Sequence, residues 1–373
     1  MIQLFRPKIR EAAIESVAEV LRSGWIGLGP KTEQFERAFA EYVGAAYVVG
    51  VNSATAGLHL AMILAGVGPG DEVITTPLTF VSTNHVILYQ GGVPVFADVD
   101  PKTCNIDPAS VRRMLSPRTK AILAVHFGGY PCELDELRAI AKEAQVPLIE
   151  DAAHACGAQY KGKPIGSEGL AVFSFHAVKN LPMGDGGAIA TRHLWEDQRL
   201  RRLRWLGIDK DTYHRTQDDC GNPRAYAWQY DVPEVGYKYH MNDIAAAIGL
   251  VQLSALASDN TLRRLIAAFY DSAIDHPQVI RKCRLSDDNH ISAQHLYWLQ
   301  VERRDELVTK LKAAGIAPGV HYVPNHVYPM YRECRGEFQH TEEVAQRLIS
   351  LPLHMELSTE DTDKIVEVIN GGW

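Results

Sequence analysis

Over the first half of the chain, short runs rich in β-branched residues alternate with segments of helical spacing. AYVVGVN, DEVITTP, VPVFADV, AILAVHF and PLIED are the strand-like runs, and between them lie ATAGLHLAMILAG, FVSTNHVILYQ, DPASVRRML and ELDELRAIAKEA. Strands apolar on both faces must be covered on both faces, and a helix in each connection supplies that cover. The pattern therefore predicts a mainly parallel sheet inside an α/β domain. Two further runs, LAVFSF and GAIAT, bring the expected sheet to at least seven strands. Upstream, Phe35, Ala38, Phe39 and Tyr42 fall at helical spacing after Thr32, and Gly44 is placed to close that helix.

Around YAWQYDVPEVGYKYHMNDI the alternation gives way to an aromatic and polar stretch leading into the apolar helix DIAAAIGLVQLSAL. A chain of 373 residues exceeds what one hydrophobic core usually supports, and the domain boundary is placed after that helix. Residues 1–256 then form a large α/β domain with the N-terminal segment. Residues 257–373 form a smaller α+β unit from HLYWLQVE, RDELVTKLKAAG, GVHYV and STEDTDKIVEVI, the last with Ser358 and Asp361 spaced as a capping box.

The net charge of −7 comes with no long basic run, which argues against nucleic acid as the main partner. Cys104, Cys132, Cys156, Cys220, Cys283 and Cys334 include no close-spaced pair, so reduced thiols and a cytoplasmic location are expected rather than disulfides or a zinc site. His126, His154, His176 and His321 show no paired-ligand spacing, and no metal is expected. The first residues lack the apolar core of a signal peptide, and no run of about eighteen apolar residues occurs, so membrane insertion is not expected.

Ligands of open α/β sheets sit at the carboxyl ends of the strands, and the chemically suggestive residues fall there. Lys179 lies between FSFHAV and GGAIAT, flanks that leave little exposed surface. A buried ammonium is costly unless paired or deprotonated, and a desolvated lysine is the residue type that attacks carbonyls to form Schiff bases. Asp151 ends PLIED; alone it reads equally as a helix cap or an arginine partner. Ser53, Ala54 and Thr55 form the first turn of a helix that follows a strand. That turn is either a plain N-cap or a phosphate seat, with free amides at the positive end of the helix dipole. Taken together, a phosphate seat, a Schiff-base lysine and a strand-end aspartate are the three contacts of pyridoxal phosphate (PLP): phosphate, aldehyde and ring nitrogen.

At these residues the chain resembles the DegT/DnrJ/EryC1/StrS family of PLP-dependent nucleotide-sugar aminotransferases, of the fold-type I, aspartate aminotransferase-like class. The resemblance covers nearly the whole chain and rests on SGWIGLGPKTEQFE, NSATAGLHLA, GPGDEVITTPLTFVST, GGVPVFADVDPKT, EDAAHACGA, FSFHAVKN with GDGGAIAT, GYKYHMNDIAAAIGLVQL and GVHYVPNHVYPMYRE. It implies that Lys179 carries the cofactor, that Asp151 meets the ring nitrogen and that His154, where many relatives have glutamine, meets the ring hydroxyl. It further implies that Phe80 stacks on the ring, that Ser53, Ala54, Thr55 and Ser174 serve the phosphate, and that a homodimer shares its active sites. Lys238 stands where many relatives carry an asparagine that reaches the neighbouring subunit's phosphate. Trp25, Ile26, His321 and His326 fall in segments that line the substrate pocket of relatives, while on the residues alone the readings are core aromatic and structural histidine.

The resemblance implies an aminotransferase that moves an amino group from L-glutamate to a keto sugar on a nucleoside diphosphate, by a ping-pong mechanism. YKYHMNDIAAAIG, SFHAVKN and EDAAHA look more like enzymes acting at sugar carbon 4 than at carbon 3, with 4-keto-6-deoxyhexose and 4-keto-pentose substrates both fitting. Two alternatives stand beside it: a 3-aminotransferase of the same family, and a PLP-binding regulatory or sensor protein without turnover. Lys179 itself argues against the dehydratase branch, in which a histidine replaces the lysine.

Overall fold

The structure, a computed structural model, describes residues 1–210 and 230–373. Cys220 and the start of the aromatic stretch at 226–229 lie outside the described residues. The first five strands are β1 (Tyr47–Val51), β2 (Glu72–Thr75), β3 (Val93–Phe96), β4 (Thr119–Val125) and β5 (Leu148–Asp151). After the two-residue strands β6 (Gln159–Tyr160) and β7 (Lys163–Pro164) come β8 (Leu170–Ser174) and β9 (Gly187–Thr191). Seven of these form the central sheet in the order β1-β9-β8-β5-β4-β2-β3. Pairing is parallel from β3 through β8, and β9 runs antiparallel to both β8 and β1. The expected mainly parallel sheet of seven strands is present, and nearly all of its residues are buried because helices cover both faces.

The short connection between β8 and β9 explains their antiparallel pairing: a parallel return needs a crossover of a dozen residues or more, usually helical. Residues 175–186 instead make a compact loop, tied by Phe175 N–H to Gly186 O at 2.9 Å and Met183 N–H to Phe175 O at 2.9 Å. Lys179 sits in its turn, with its own N–H on His176 O at 2.8 Å.

The remaining strands are β10 (Val279–Lys282), β11 (His290–Ile291), β12 (Tyr297–Val301) and β13 (Leu348–Leu351). β10, β12 and β13 form an antiparallel sheet, while β11 reaches back to pair with β6. Helix Asp243–Ala273 runs unbroken for 31 residues, so the boundary expected after residue 256 falls inside it. No glycine or proline interrupts the sequence between 257 and 273. Leu253 and Leu256 belong to the core of the large sheet, whereas Ala267 and Tyr270 belong to the core of the C-terminal sheet. One helix thus serves both cores, and Ile2 and Phe5 from the amino-terminal segment pack against the second of them. Ser358 caps helix Thr359–Asn370 in the expected capping box with Asp361.

Candidate active site

The parallel strands deliver Val125, Asp151 and Ser174 as the last residues of β4, β5 and β8. All three line one cavity of about 350 Å³, together with Ser53, Ala54 and Thr55, which follow β1. Ser53 is extended and caps helix Ala54–Leu64 by accepting the Ala56 N–H at 3.1 Å, so the first amides of that helix are left for another partner. Gly187 of β9 allows the helix to start so close to the sheet: a Cβ there would stand 2.6 Å from the Ser53 carbonyl carbon and 2.7 Å from the Ala54 nitrogen. The helix end, a buried hydroxyl at Ser174 and the open amides make an anion seat on one side of the cavity.

Lys179 and Asp151 line the same cavity. Lys179 is partly exposed, toward the cavity, and burial lowers its pKa to about 8 despite the opposing attraction of Asp151. With that pKa roughly a tenth of the amine is neutral at pH 7, far more than for an ordinary lysine, and the neutral amine is the nucleophilic form. Asp151 is 3% exposed, and burial raises its pKa although hydrogen bonds and the charge of Lys179 oppose that rise. Its Oδ2 accepts from Thr83 Oγ1 at 2.8 Å and its Oδ1 from the Ala153 N–H at 3.1 Å.

His154 is neutral, because burial and then the charge of Lys179 push its pKa well down. Its Nδ1 accepts the Gly128 N–H at 3.2 Å, so Nε2 carries the proton and donates to Tyr322 Oη at 3.1 Å. His321 is likewise neutral, its pKa lowered by burial to about 4, and its Nδ1 lies 2.9 Å from Ser350 Oγ. Phe80 is 57% exposed, with its ring at the cavity and its centroid 6.2 Å from that of Tyr322.

Nine of the sequence-predicted residues therefore converge: Ser53, Ala54, Thr55, Phe80, Asp151, His154, Ser174, Lys179 and His321. Four do not line this cavity. Trp25 donates its indole N–H to Leu28 O at 3.0 Å, and Ile26 is half exposed. Lys238 rests its ammonium 3.4 Å from the centroid of the Trp205 ring, and its carbonyl accepts from Asn52 Nδ2 at 3.3 Å. His326 stacks on Phe338 and meets Glu342 at 3.3 Å. Conversely, Thr79, Thr83, His295, Tyr322 and Phe5 join the cavity unannounced. Thr79 precedes the N-cap of the helix Val81–Tyr89 and Thr83 lies in its first turn, a spacing visible in TFVST; for Phe5 no local signal exists.

The residues present fit pyridoxal phosphate. The open helix end has the amides that a dianionic phosphate requires, Lys179 offers an amine to an aldehyde, and the buried Asp151 offers a carboxylate to a protonated ring nitrogen. Fold and cavity define the class as an α/β enzyme built for carbonyl–amine chemistry at the strand ends. The chain belongs to the DegT/DnrJ/EryC1/StrS aminotransferase family, whose model matches residues 7–370. It is similar to the spore coat polysaccharide biosynthesis protein SpsC of Bacillus subtilis, with 41% identity over 97% of this chain and 95% of that protein. The sugar aminotransferase CalS13 from Micromonospora echinospora is 35% identical and superposes with a TM-score of 0.91, covering 100% of both chains. Spr1654 from Streptococcus pneumoniae in its PMP-form is 31% identical, with a TM-score of 0.91 over 100% of this chain and 98% of that one. Among the described residues no helix is long and apolar enough to cross a membrane.

Proposed function

We propose that this chain is a PLP-dependent aminotransferase that takes the amino group of L-glutamate and delivers it to carbon 4 of a keto sugar carried on a nucleoside diphosphate. One observation supports the reading most: a lysine amine with its pKa lowered to about 8 shares a cavity with a buried carboxylate that, among the described residues, has no ion-pair partner. The printed names of SpsC and CalS13 support a sugar as acceptor, and the PMP-form of Spr1654 supports the cofactor. Carbon 4 is supported by the blocks YKYHMNDIAAAIG, SFHAVKN and EDAAHA.

When bound, PLP supplies an electron sink for the charge left by a departing α-proton. Asp151 holds a negative charge at the ring nitrogen, and Thr83 and the Ala153 amide hold Asp151. Lys179 is the attachment point, and its amine, once free, accepts a proton from the α-carbon of the donor and returns one to the sugar carbon. Phe80, with its ring at the cavity, would cover the cofactor ring, and His154, a neutral imidazole of fixed tautomer, would serve the ring hydroxyl. The amides of Ala54 and Thr55 and the hydroxyls of Ser53, Thr55 and Ser174 would hold the phosphate. Lys238, Trp25, Ile26 and His326 lie outside this protomer's cavity and act in a homodimer with shared sites, Lys238 at the neighbour's phosphate and the others at the substrate.

Absorption spectra of the PLP-loaded protein before and after glutamate test the first half of the reaction. Conversion of the PLP band to the shorter-wavelength PMP band is expected, and a band indifferent to glutamate would favour a sensor. Incubating the PMP form with 4-keto and 3-keto nucleotide sugars, followed by NMR of the product, then tests the carbon: amination confined to carbon 3 overturns the assignment.

A further inference from the structure

Asp151 is buried, yet none of its direct hydrogen bonds comes from a cation: it is met by a backbone amide and by the hydroxyl of Thr83. Thr83 Oγ1 lies 2.8 Å from Asp151 Oδ2 and 2.9 Å from Thr79 Oγ1, and both threonines are buried, at 1% and 3% exposure. A hydroxyl has one hydrogen to donate. While Asp151 is ionised it can only accept, so the Thr83 hydrogen points at Oδ2, and the Thr79 hydrogen must then point at Thr83. Protonation of Asp151 on Oδ2 would reverse the first bond and leave one of the two threonine hydrogens without its acceptor. The turn carrying Thr79 is fixed from the C-terminal unit: Asn325, fully buried, donates its N–H to Pro77 O at 2.7 Å and its Nδ2 to Thr79 O at 2.8 Å. Asn325 Oδ1 accepts from Asn84 Nδ2 at 2.9 Å, on the helix that carries Thr83.

We propose that Thr83 and Thr79 form a two-hydroxyl chain that keeps Asp151 ionised and aimed, making both threonines positioning residues for recognition of the cofactor's ring nitrogen. The inference rests on the reading of Asp151 as that nitrogen's partner. Burial drives the carboxyl toward its neutral form, and the Thr83 bond is the foremost opposing influence. A hydrogen bond to a charged group is worth more than one between neutral groups, and a second hydroxyl feeding the first strengthens it further.

The test measures equilibrium binding of PLP and of its 1-deaza analogue, in which carbon replaces the ring nitrogen, to the apoprotein. The variants are Thr83→Val, Thr83→Ser and Thr79→Val. The unaltered protein should prefer PLP. Thr83→Val should cut that preference by about ten- to a hundredfold, Thr79→Val should cut it by about two- to fivefold, and Thr83→Ser should restore it. Should the unaltered protein fail to discriminate, the Asp151 reading falls and this inference with it. If it discriminates and Thr83→Val does so equally, or weakens both ligands alike, the inference alone is overturned. Thr83→Ser and Thr79→Val carry the decision if the valine at 83 prevents folding: a serine that fails to preserve the preference, or a Thr79→Val with no effect on it, counts against the chain.

Discussion

Glu36 and Asp151 are buried to nearly the same degree and are treated in opposite ways. Glu36, 4% exposed, is surrounded by its own cations: it pairs with Arg204, lies 2.7 Å from Arg201 and accepts the Gly50 N–H at 2.8 Å. Burial would raise its pKa, but the arginines win and hold it below the usual range. Asp151, 3% exposed, has hydroxyl and amide donors, with Lys179 near enough to be felt but not bonded, and its pKa ends above the usual range. Glu36 is electrically complete, and its pairs tie the helix Pro30–Val43 to β1 and to the helix Leu194–Leu203. Asp151 is incomplete without a positive partner, which is what a site waiting for a cationic ligand group requires.

The largest effect should come at the amine. Lys179→Ala is expected to abolish turnover, since no other amine lines the cavity among the described residues, while PLP still binds without a covalent link. Retained steady-state activity with glutamate and a keto sugar would break the contrast at its root. Next come the acids. Asp151→Asn should lower kcat by about 10²–10³-fold, the range for losing one preorganised charge contact, and leave the fold intact. Glu36→Gln should leave kcat nearly unchanged but cost about 3 kcal/mol of stability in denaturant titrations, because it strands Arg204 in the interior. If Glu36→Gln hit turnover and Asp151→Asn hit stability, the roles would be reversed.

Titration separates them again, now by sign. The folded pKa of Asp151 lies above the ordinary 3.8, so the carboxylate subtracts stability at neutral pH. Asp151→Asn apoprotein should gain there, and the gain should shrink as pH falls from the raised folded value to 3.8. The folded pKa of Glu36 lies below 4.5, so its contribution is present above 4.5 and is lost as pH falls through the lowered value. The deficit of Glu36→Gln should therefore close in acid. Differences in stability from the unaltered protein that change with pH in the same direction for both variants would refute this account. At the other end of the scale, Lys179 must lose a proton to attack an aldehyde, so the rate at which apoprotein captures PLP should climb as pH rises through about 8 and level off above it. A capture rate still climbing steeply near pH 10 would mean that burial has not lowered the amine's pKa.

Of this contrast, the Asp151 side is legible in the sequence and the Glu36 side is not. Strand and helix alternation reflects burial on two faces, which is a local pattern, and it placed Asp151 at a strand end and Ser53 at a helix start. Lys179 was conspicuous because apolar flanks and an ammonium conflict. The two-hydroxyl support of Asp151 was not read, although Thr79 and Thr83 have helical spacing, because a threonine near a helix start reads as ordinary capping. Phe5, Tyr322 and His295 arrive by tertiary folding from the amino-terminal segment and the C-terminal unit, and no periodicity announces that. The domain boundary at 256 follows the apolar run DIAAAIGLVQLSAL, yet the helix continues to Ala273 because its second half finds a different core.

The smallest effect tests whether the neutral groups follow the same bookkeeping as the charged ones. His154 accepts at Nδ1 and donates at Nε2, so what the site uses is one acceptor and one donor on a short arm. Glutamine offers both, and His154→Gln is expected to keep kcat/KM within about fivefold of the unaltered protein. Leucine offers neither and would leave the Gly128 N–H and the Tyr322 hydroxyl unpaired beside a buried cavity, a loss of about 1–3 kcal/mol for each stranded group. His154→Leu should therefore lower both stability and kcat/KM by more than tenfold in the corresponding constants. Equal damage from glutamine and leucine would show that the ring itself, through its 4.5 Å contact with His295, matters more than its two hydrogen bonds.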